Sequence, residues 1–218
     1  MEYFITIYDS IFDVGCERSG YWNDCSYFCA AGGELDIFFL YGPTIKEVVK
    51  NYTDLTGKAK LPPRYSLGYT GSTMYYTELD KGSDKTILKF LDKCVEEEIL
   101  CDGFFLSSGY TSSKDNKRYV FNWNYDRFND PKDFVEHMKK KGAALVPNIK
   151  PGMLKSYPLY KEFDKAYAYI KDELGKESQM ERYWGGHASF VDFTNPKGRD
   201  IWKKHLKASL VSLGITSI

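Results

Sequence analysis

The stretch DPKDFVEHMKKKGAALVPNI, residues 130–149, reads as one capped helix running into one buried strand. Asp130 offers a side-chain oxygen to the first free amides of a helix. Pro131 suits the first helical position, where its missing N–H is not needed. Phe134, Val135 and Met138 recur at helical spacing and face one way. Lys139–Lys141 put positive charge at the negative end of the helix dipole, and Gly142 supplies the stop. Ala143–Ile149 is then a nearly continuous apolar run, the pattern of a parallel strand covered on both faces.

The same unit repeats on either side. Upstream, Tyr65–Tyr69 is a strand candidate, and Asp84–Glu98 carries Ile87, Leu88, Leu91, Cys94 and Val95 on one helical face. Leu100–Leu106 is the second strand. Downstream, Asn195-Pro196 caps a helix bearing Ile201, Trp202, His205, Leu206, Leu210 and Leu213, Gly214 ends it, and Ile215–Ile218 begins a fourth strand. Strands alternating with helices specify a parallel sheet with helices outside. The connections Thr70–Ser83, Ser107–Asn129 and Lys150–Asn195 are long, and each follows the C-terminal end of a strand. That is how a (β/α)8 barrel builds a site. The fold class is therefore α/β, the first half of a (β/α)8 TIM barrel. A doubly wound sheet competes, but only Thr70-Gly71-Ser72-Thr73 follows the first strand, where a nucleotide binder would place a glycine-rich phosphate loop. The same absence weakens a nucleotide-dependent enzyme. Leu159–Leu174 has helical spacing, yet Tyr167–Ile170 within it would serve equally as a strand.

Ahead of this region, FITIYDSIF (4–12) and LDIFFLY (35–41) are rich in β-branched and aromatic residues, and the stretch between them, with Gly15, Gly20, Gly32 and Gly33, reads as loop. Two or three strands do not make a stable sheet alone, so residues 1–41 read as the end of a β domain. Gly42-Pro43 punctuates the chain. Thr44–Thr56 follows as a linking helix, with Pro43 at its first position, Ile45, Val48, Val49, Tyr52 and Leu55 on one face, and Gly57 as its stop. The organisation is thus 1–41, a linking segment 42–60, and 61–218 with barrel strands one to four.

Composition narrows the function. Thirty basic residues balance thirty acidic ones, giving a net charge of +0, so neither nucleic acid nor an anionic membrane is an expected partner. The start MEYFITIYDS lacks the basic-then-apolar pattern of a signal peptide, and the run Ile37–Tyr41 is far shorter than the ~20 residues of a membrane helix. Five cysteines, with no Cys-x-x-Cys pair and with Cys25 and Cys29 four apart, read as free thiols in a reducing cytoplasm. His137, His187 and His205 are scattered, so neither a metal nor a cofactor is expected. Aromatic residues reach 17%. Such rings pack cores, and their faces also suit sugar rings.

GGELDIFFLYGPTIKEVVKNYTDLTG (32–57), LPPRYSLGY (61–69), ILCDGFFL (99–106) and VDFTNPKGRDIWKKHL (191–206) together resemble glycoside hydrolase family 31, the α-glucosidase and α-xylosidase family. Within it, SLGYTGSTMYYTE, LSSGYTS, RYVFNWN and NIKP look most like the 6-α-glucosyltransferase and isomaltosyltransferase branch. The resemblance implies that residues 1–41 are the last strands of a β-sandwich. It implies a retaining hydrolase or transglycosylase acting on α-linked glucosyl saccharides, with two carboxyl groups roughly 5–5.5 Å apart. The nucleophile is expected just beyond Ile218 and the acid/base further on, so the chain reads as an inactive fragment of an active parent. A non-catalytic sugar-binding or structural fragment is the alternative. The implied partners are an α-glucan or oligosaccharide, the remainder of its own barrel and, in the parent, a further copy of itself.

The resemblance also marks site residues. Tyr75 falls where the family places an aromatic near the sugar, and Trp184 in YWGGH matches a family tryptophan ahead of DFTNP. Ser107 and Ser108 end the second strand. Most of the family has Asp-x-Asp there, against Ser107 and Gly109 in this chain, which puts ordinary α-glucosidase specificity in doubt. Asn148 and Lys150, in NIKP, end the third strand and could line the first subsite, although a solvated lysine is the commoner fate. Asp192 and Asp102 are read as fold residues, satisfied by nearby backbone.

Overall fold

The computed structural model describes residues 10–14, 25–30 and 37–217. The chain divides into two compact units, Met1–Leu61 and Pro62–Ile218. Among the described residues no helix is long and apolar enough to cross a membrane.

In the first unit, β1 (Ser10–Val14) pairs antiparallel with β2 (Ser26–Ala30), in a register that sets Ser10 opposite Ala30 and Val14 opposite Ser26. This corrects two expectations. The partner strand lies inside the stretch read as loop, whereas Ile37–Tyr41 forms no strand and exposes Phe39 and Tyr41. A β-rich sequence becomes a strand only where a second strand accepts its hydrogen bonds. The earlier part of FITIYDSIF, and Gly15, Gly20, Gly32 and Gly33, lie outside the described residues. Helix α1 (Ile45–Thr56) begins one residue later than expected. Thr44 is its cap, reciprocated by Glu47 in a capping box, so Pro43 precedes the cap instead of opening the helix.

The second unit opens with a correction as well. Arg64–Leu67 is a 3-10 turn, not a strand. Pro62 and Pro63 carry no N–H for a ladder, and the Ser66 amide and hydroxyl both donate to the Pro63 carbonyl, at 3.0 and 2.7 Å. The strand forms one step later, as β3 (Thr70–Ser72). It leads through a short helix, α2 (Met74–Thr77), to α3 (Ser83–Glu96) and then β4 (Gly103–Leu106). Helix α4 (Pro131–Lys140) follows, and the Asp130 carboxylate accepts from the Lys132 and Asp133 amides, both at 3.0 Å. Strand β5 (Ala144–Pro147) completes a parallel sheet of order β3-β4-β5, with Ser72 beside Phe105 and Leu106 beside Pro147. A Cβ at Gly71 would lie 2.7 Å from the Phe90 ring and 3.0 Å from Phe104, so only glycine lets α3 pack this tightly on β3.

Ile87, Leu91, Phe104, Phe128, Phe134 and Met138 fill the space between sheet and helices. Each such side chain contributes about 1.5–3 kcal/mol by leaving water. Downstream, α6 (Pro196–Ser209) is preceded by the Lys150–Asn195 connection, which is structured. Its strands β6 (Gly152–Leu154), β7 (Glu181–Tyr183) and β8 (Gly186–Phe190) form an antiparallel sheet of order β6-β8-β7, with α5 (Tyr160–Lys165) packed alongside. The two readings of 159–174 are both realised. The first part is helix, Tyr167 turns the chain at φ 53°, and Tyr169 then bridges to Val191. Of the expected fourth strand, Ile215 is buried and Ile215–Ser217 make no ladder, while Ile218 lies outside the described residues.

Candidate functional site

The sequence candidates stand on the segments that follow β3, β4 and β5. After β3, the Thr73 hydroxyl caps α2 by accepting from the Tyr75 amide at 3.2 Å. Tyr76 turns inward against Phe90, and Tyr75 is left 69% exposed with its ring beside that of Tyr76. After β4, Ser107 caps a single 3-10 turn, Ser108–Thr111, without using its side chain, and Ser108 is buried with its carbonyl accepting from the Thr111 hydroxyl. This turn presses on α2. A Cβ at Gly109 would stand 2.5 Å from the Thr77 carbonyl oxygen and 2.5 Å from Glu78. An aspartate at 109 would force the Thr77 carbonyl and the Glu78 side chain to shift, so Gly109 and this close packing go together.

After β5, the Asn148 amide extends the sheet by donating to the Leu106 carbonyl at 3.0 Å, and the Asn148 carbonyl accepts from the Tyr110 hydroxyl at 3.0 Å. Tyr110 is buried, and desolvation pushes its phenol well above the usual range. It locks the ends of β4 and β5 together and leaves the Asn148 side chain exposed. Two residues on, the Lys150 ammonium sits 3.8 Å from the centre of the Trp184 ring. Trp184 and Gly185 make the turn between β7 and β8, where Gly185 takes φ 86°. The folded connection thus returns its tip to the end of β5. Trp184 remains 59% exposed.

Two residues not singled out in the sequence complete this group. Arg118 and Glu78 pair at 2.6 Å, both partly buried, and they tie the segment after β4 to the end of α2. The second guanidinium nitrogen, Nη1, is buried without a hydrogen-bond partner among the described residues. Burial first, and the Arg118 charge second, hold the Lys150 ammonium below its usual pKa. The cluster therefore carries two cations against one carboxylate. Forty positions separate Arg118 from Glu78, and no local pattern joins them.

The structure brings Lys150 to Trp184, and Asn148 to the turn that begins at Ser107. It shows no contact between Tyr75 and Trp184 among the described residues. Asp192 accepts from the Thr194 amide and hydroxyl at 2.9 and 2.6 Å, and the hydroxyl bond leads in holding its carboxyl below the ordinary value. That places it in the turn before α6. Asp102 packs against Gly68, where a Cβ would collide with its carboxylate, and its main chain bonds Tyr69 and Ala144, each at 2.8 Å. No group of three or more His, Cys, Asp or Glu positioned to hold a metal occurs among the described residues.

Residues 59–218 match the glycosyl hydrolases family 31 TIM-barrel domain. The chain is 32% identical over 207 residues to the alpha-xylosidase XylQ of Lactiplantibacillus pentosus, covering 94% of this chain and 26% of that protein. It is 32% identical over 209 residues to alpha-glucosidase 2 of Bacillus thermoamyloliquefaciens, covering 93% of this chain and 24% of that one. Among solved structures, the glucose complex of a Flavobacterium johnsoniae GH31 dextranase superimposes with a TM-score of 0.78 at 26% identity, over 98% of this chain and 25% of that one. The chain thus spans about a quarter of the length of these relatives. With its three parallel strands, their covering helices and the long segments at the strand ends, the chain belongs to glycoside hydrolase family 31.

Proposed function

We propose that the chain forms part of the catalytic barrel of a retaining enzyme that hydrolyses or transfers α-linked glucosyl units. The contact of Lys150 with Trp184 beside the end of β5 carries this reading. An indole held by a cation over one face, and still 59% exposed, offers a platform for the apolar face of a sugar ring. Tyr75 after β3, Ser107 and Ser108 after β4, and Asn148 after β5 supply phenol, hydroxyl and amide groups. The relatives include an alpha-xylosidase, alpha-glucosidases and a dextranase, which supports an α-linked glucosyl substrate.

We assign the two carboxyl groups, roughly 5–5.5 Å apart in a retaining site, to the longer protein outside residues 1–218. One attacks the anomeric carbon while the other protonates the leaving oxygen. Water or a sugar hydroxyl then releases the glycosyl-enzyme. The parent would work without a cofactor, in a reducing cytoplasm.

Ser107 and Gly109 favour transfer, or hydrolysis of longer donors. A carboxylate at 107 would accept charge-assisted bonds about twice as strong as those to a neutral hydroxyl. Without it, more binding energy must come from outer sugar units. The test uses the full-length protein on an activated aryl α-glucoside and on the series maltose to maltopentaose, following the first-formed anomer by NMR. The α-anomer, with kcat/KM rising along the series, is expected. The β-anomer, or no turnover of any member, would overturn the reading.

A further inference from the structure

The segment after β4 has a second face that the site above does not use. Residues Ser112 and Arg118 bridge, and the Ser113 amide donates to the Lys117 carbonyl at 2.8 Å, so 112–118 doubles back on itself. Successive side chains of such an extended segment point to opposite sides. Arg118 goes to Glu78, and Tyr119 goes the other way, to stack on Tyr157 at 4.3 Å between ring centres. On the Tyr119 side is a cavity of about 400 Å³, lined by Tyr119, Asn122, Trp123, Tyr125 and Tyr157 among others. That volume lies within the ~300–1,000 Å³ of ligand pockets.

The chemistry of the lining is specific. Neither the Tyr119 nor the Tyr157 hydroxyl has a hydrogen-bond partner among the described residues, and Tyr157 is a buried ring whose phenol is pushed up to about 12 by burial. Asn122 donates its amide to the Thr111 carbonyl at 3.0 Å, which leaves its side-chain oxygen facing no described donor. Asn124 is fully committed. Its amide donates to Ser112, and its oxygen accepts from the Asp126 and Arg127 amides at 3.1 and 3.2 Å. Those bonds fix the backbone on either side of Tyr125, whose ring is 65% exposed and stacks on no other ring among the described residues. The charged lining residues, Lys114 and Asp126, balance. An exposed aromatic face above unpaired phenol and amide groups, with no net charge, suits a neutral sugar and not an anion.

We propose that this cavity is a second saccharide-binding site, which holds a glucosyl unit of a long α-glucan away from the Trp184 platform, with Tyr125 as its stacking ring. The proposal rests on the α-glucan reading of the function above. Affinity electrophoresis of the full-length protein in gels containing soluble dextran or glycogen tests it, on wild type, Tyr125→Ala and Tyr125→Phe. Tyr125→Ala should lose at least threefold of the retardation, Tyr125→Phe should keep it, and melting temperatures should match. Wild-type migration of Tyr125→Ala, or no retardation of the wild type in either polymer, would overturn it. Aryl α-glucoside turnover by the wild type is measured separately. An enzyme that turns over the glucoside while Tyr125→Ala migrates as wild type refutes only the second site, whereas glucan retardation without turnover refutes only the catalytic reading.

Discussion

The parallel sheet with its helices and the antiparallel insert between β5 and α6 are built on different chemistry. The first is filled by Ile87, Leu91, Phe104, Phe128, Phe134 and Met138, with two polar rings, Tyr110 and Trp123, that each donate to one carbonyl. The second is filled by Met153, Tyr157, Tyr160, Phe163 and Tyr169, and two of its tyrosines bond within it. The Tyr160 hydroxyl lies 2.9 Å from that of Ser189, and the Tyr169 hydroxyl donates to Met153 Sδ at 3.0 Å and to the Tyr160 carbonyl at 3.3 Å. Apolar burial makes the framework stable without fixing one geometry to a fraction of an ångström. Directional bonds in the insert hold a hairpin whose tip carries Trp184.

If the framework rests on apolar burial, Phe134→Ala should be the most damaging change, costing about 3–5 kcal/mol in denaturant melts of the full-length protein. A loss below 1 kcal/mol would remove Phe134 from the core. Where framework segments meet, Gly109→Ala should cost about 1–3 kcal/mol, because its methyl would press on the Thr77 carbonyl. Unchanged stability would show that α2 can yield. In the insert, Tyr169→Phe deletes a hydroxyl and leaves the ring in place, so the expected loss is smaller, about 0.5–1.5 kcal/mol. Because the insert holds Trp184, kcat/KM should fall along with it, whereas a framework change of equal cost should not lower it at a temperature where the protein stays folded.

The smallest effect is a pH dependence. Asp192 has its carboxyl held below the ordinary value by the Thr194 hydroxyl bond. Its contribution is fully present above the ordinary carboxylate pKa and is lost as pH falls through the lower native value. Asp192→Asn should therefore flatten the acid limb of the stability curve and leave neutral pH nearly unchanged. An unaltered acid limb would mean that the turn before α6 does not depend on that charge.

The two regions also differ in how far the sequence discloses them. Helices α4 and α6 were legible because each pairs a helical apolar stripe with a side-chain cap, as Phe134, Val135 and Met138 do after Asp130, whereas α3 was legible from its stripe alone. Strand β3 was misplaced by one step, because Tyr65–Tyr69 has strand composition but the preceding prolines force a turn. The insert was hidden. Strands of three residues such as Gly152–Leu154 are too short for alternation to register, and their pairing is set by contacts thirty-eight positions apart, as between Gly152 and Phe190. Among the candidate site residues, Trp184 and Asn148 are proposed through family resemblance, not through any local pattern. Arg118 and Glu78 meet only through the packing of α2 on the Ser108–Thr111 turn.

The central claim is that Trp184, carried by the insert back to the end of β5, is a sugar platform. The direct measurement is kcat/KM of Trp184→Ala in the full-length protein on an α-glucoside, with the melting temperature followed in parallel. The account predicts at least a tenfold fall, equivalent to about 1.4 kcal/mol of transition-state binding, at an unchanged melting temperature. Unchanged kcat/KM at an unchanged melting temperature, or a fall matched by a lost melting temperature, would contradict it.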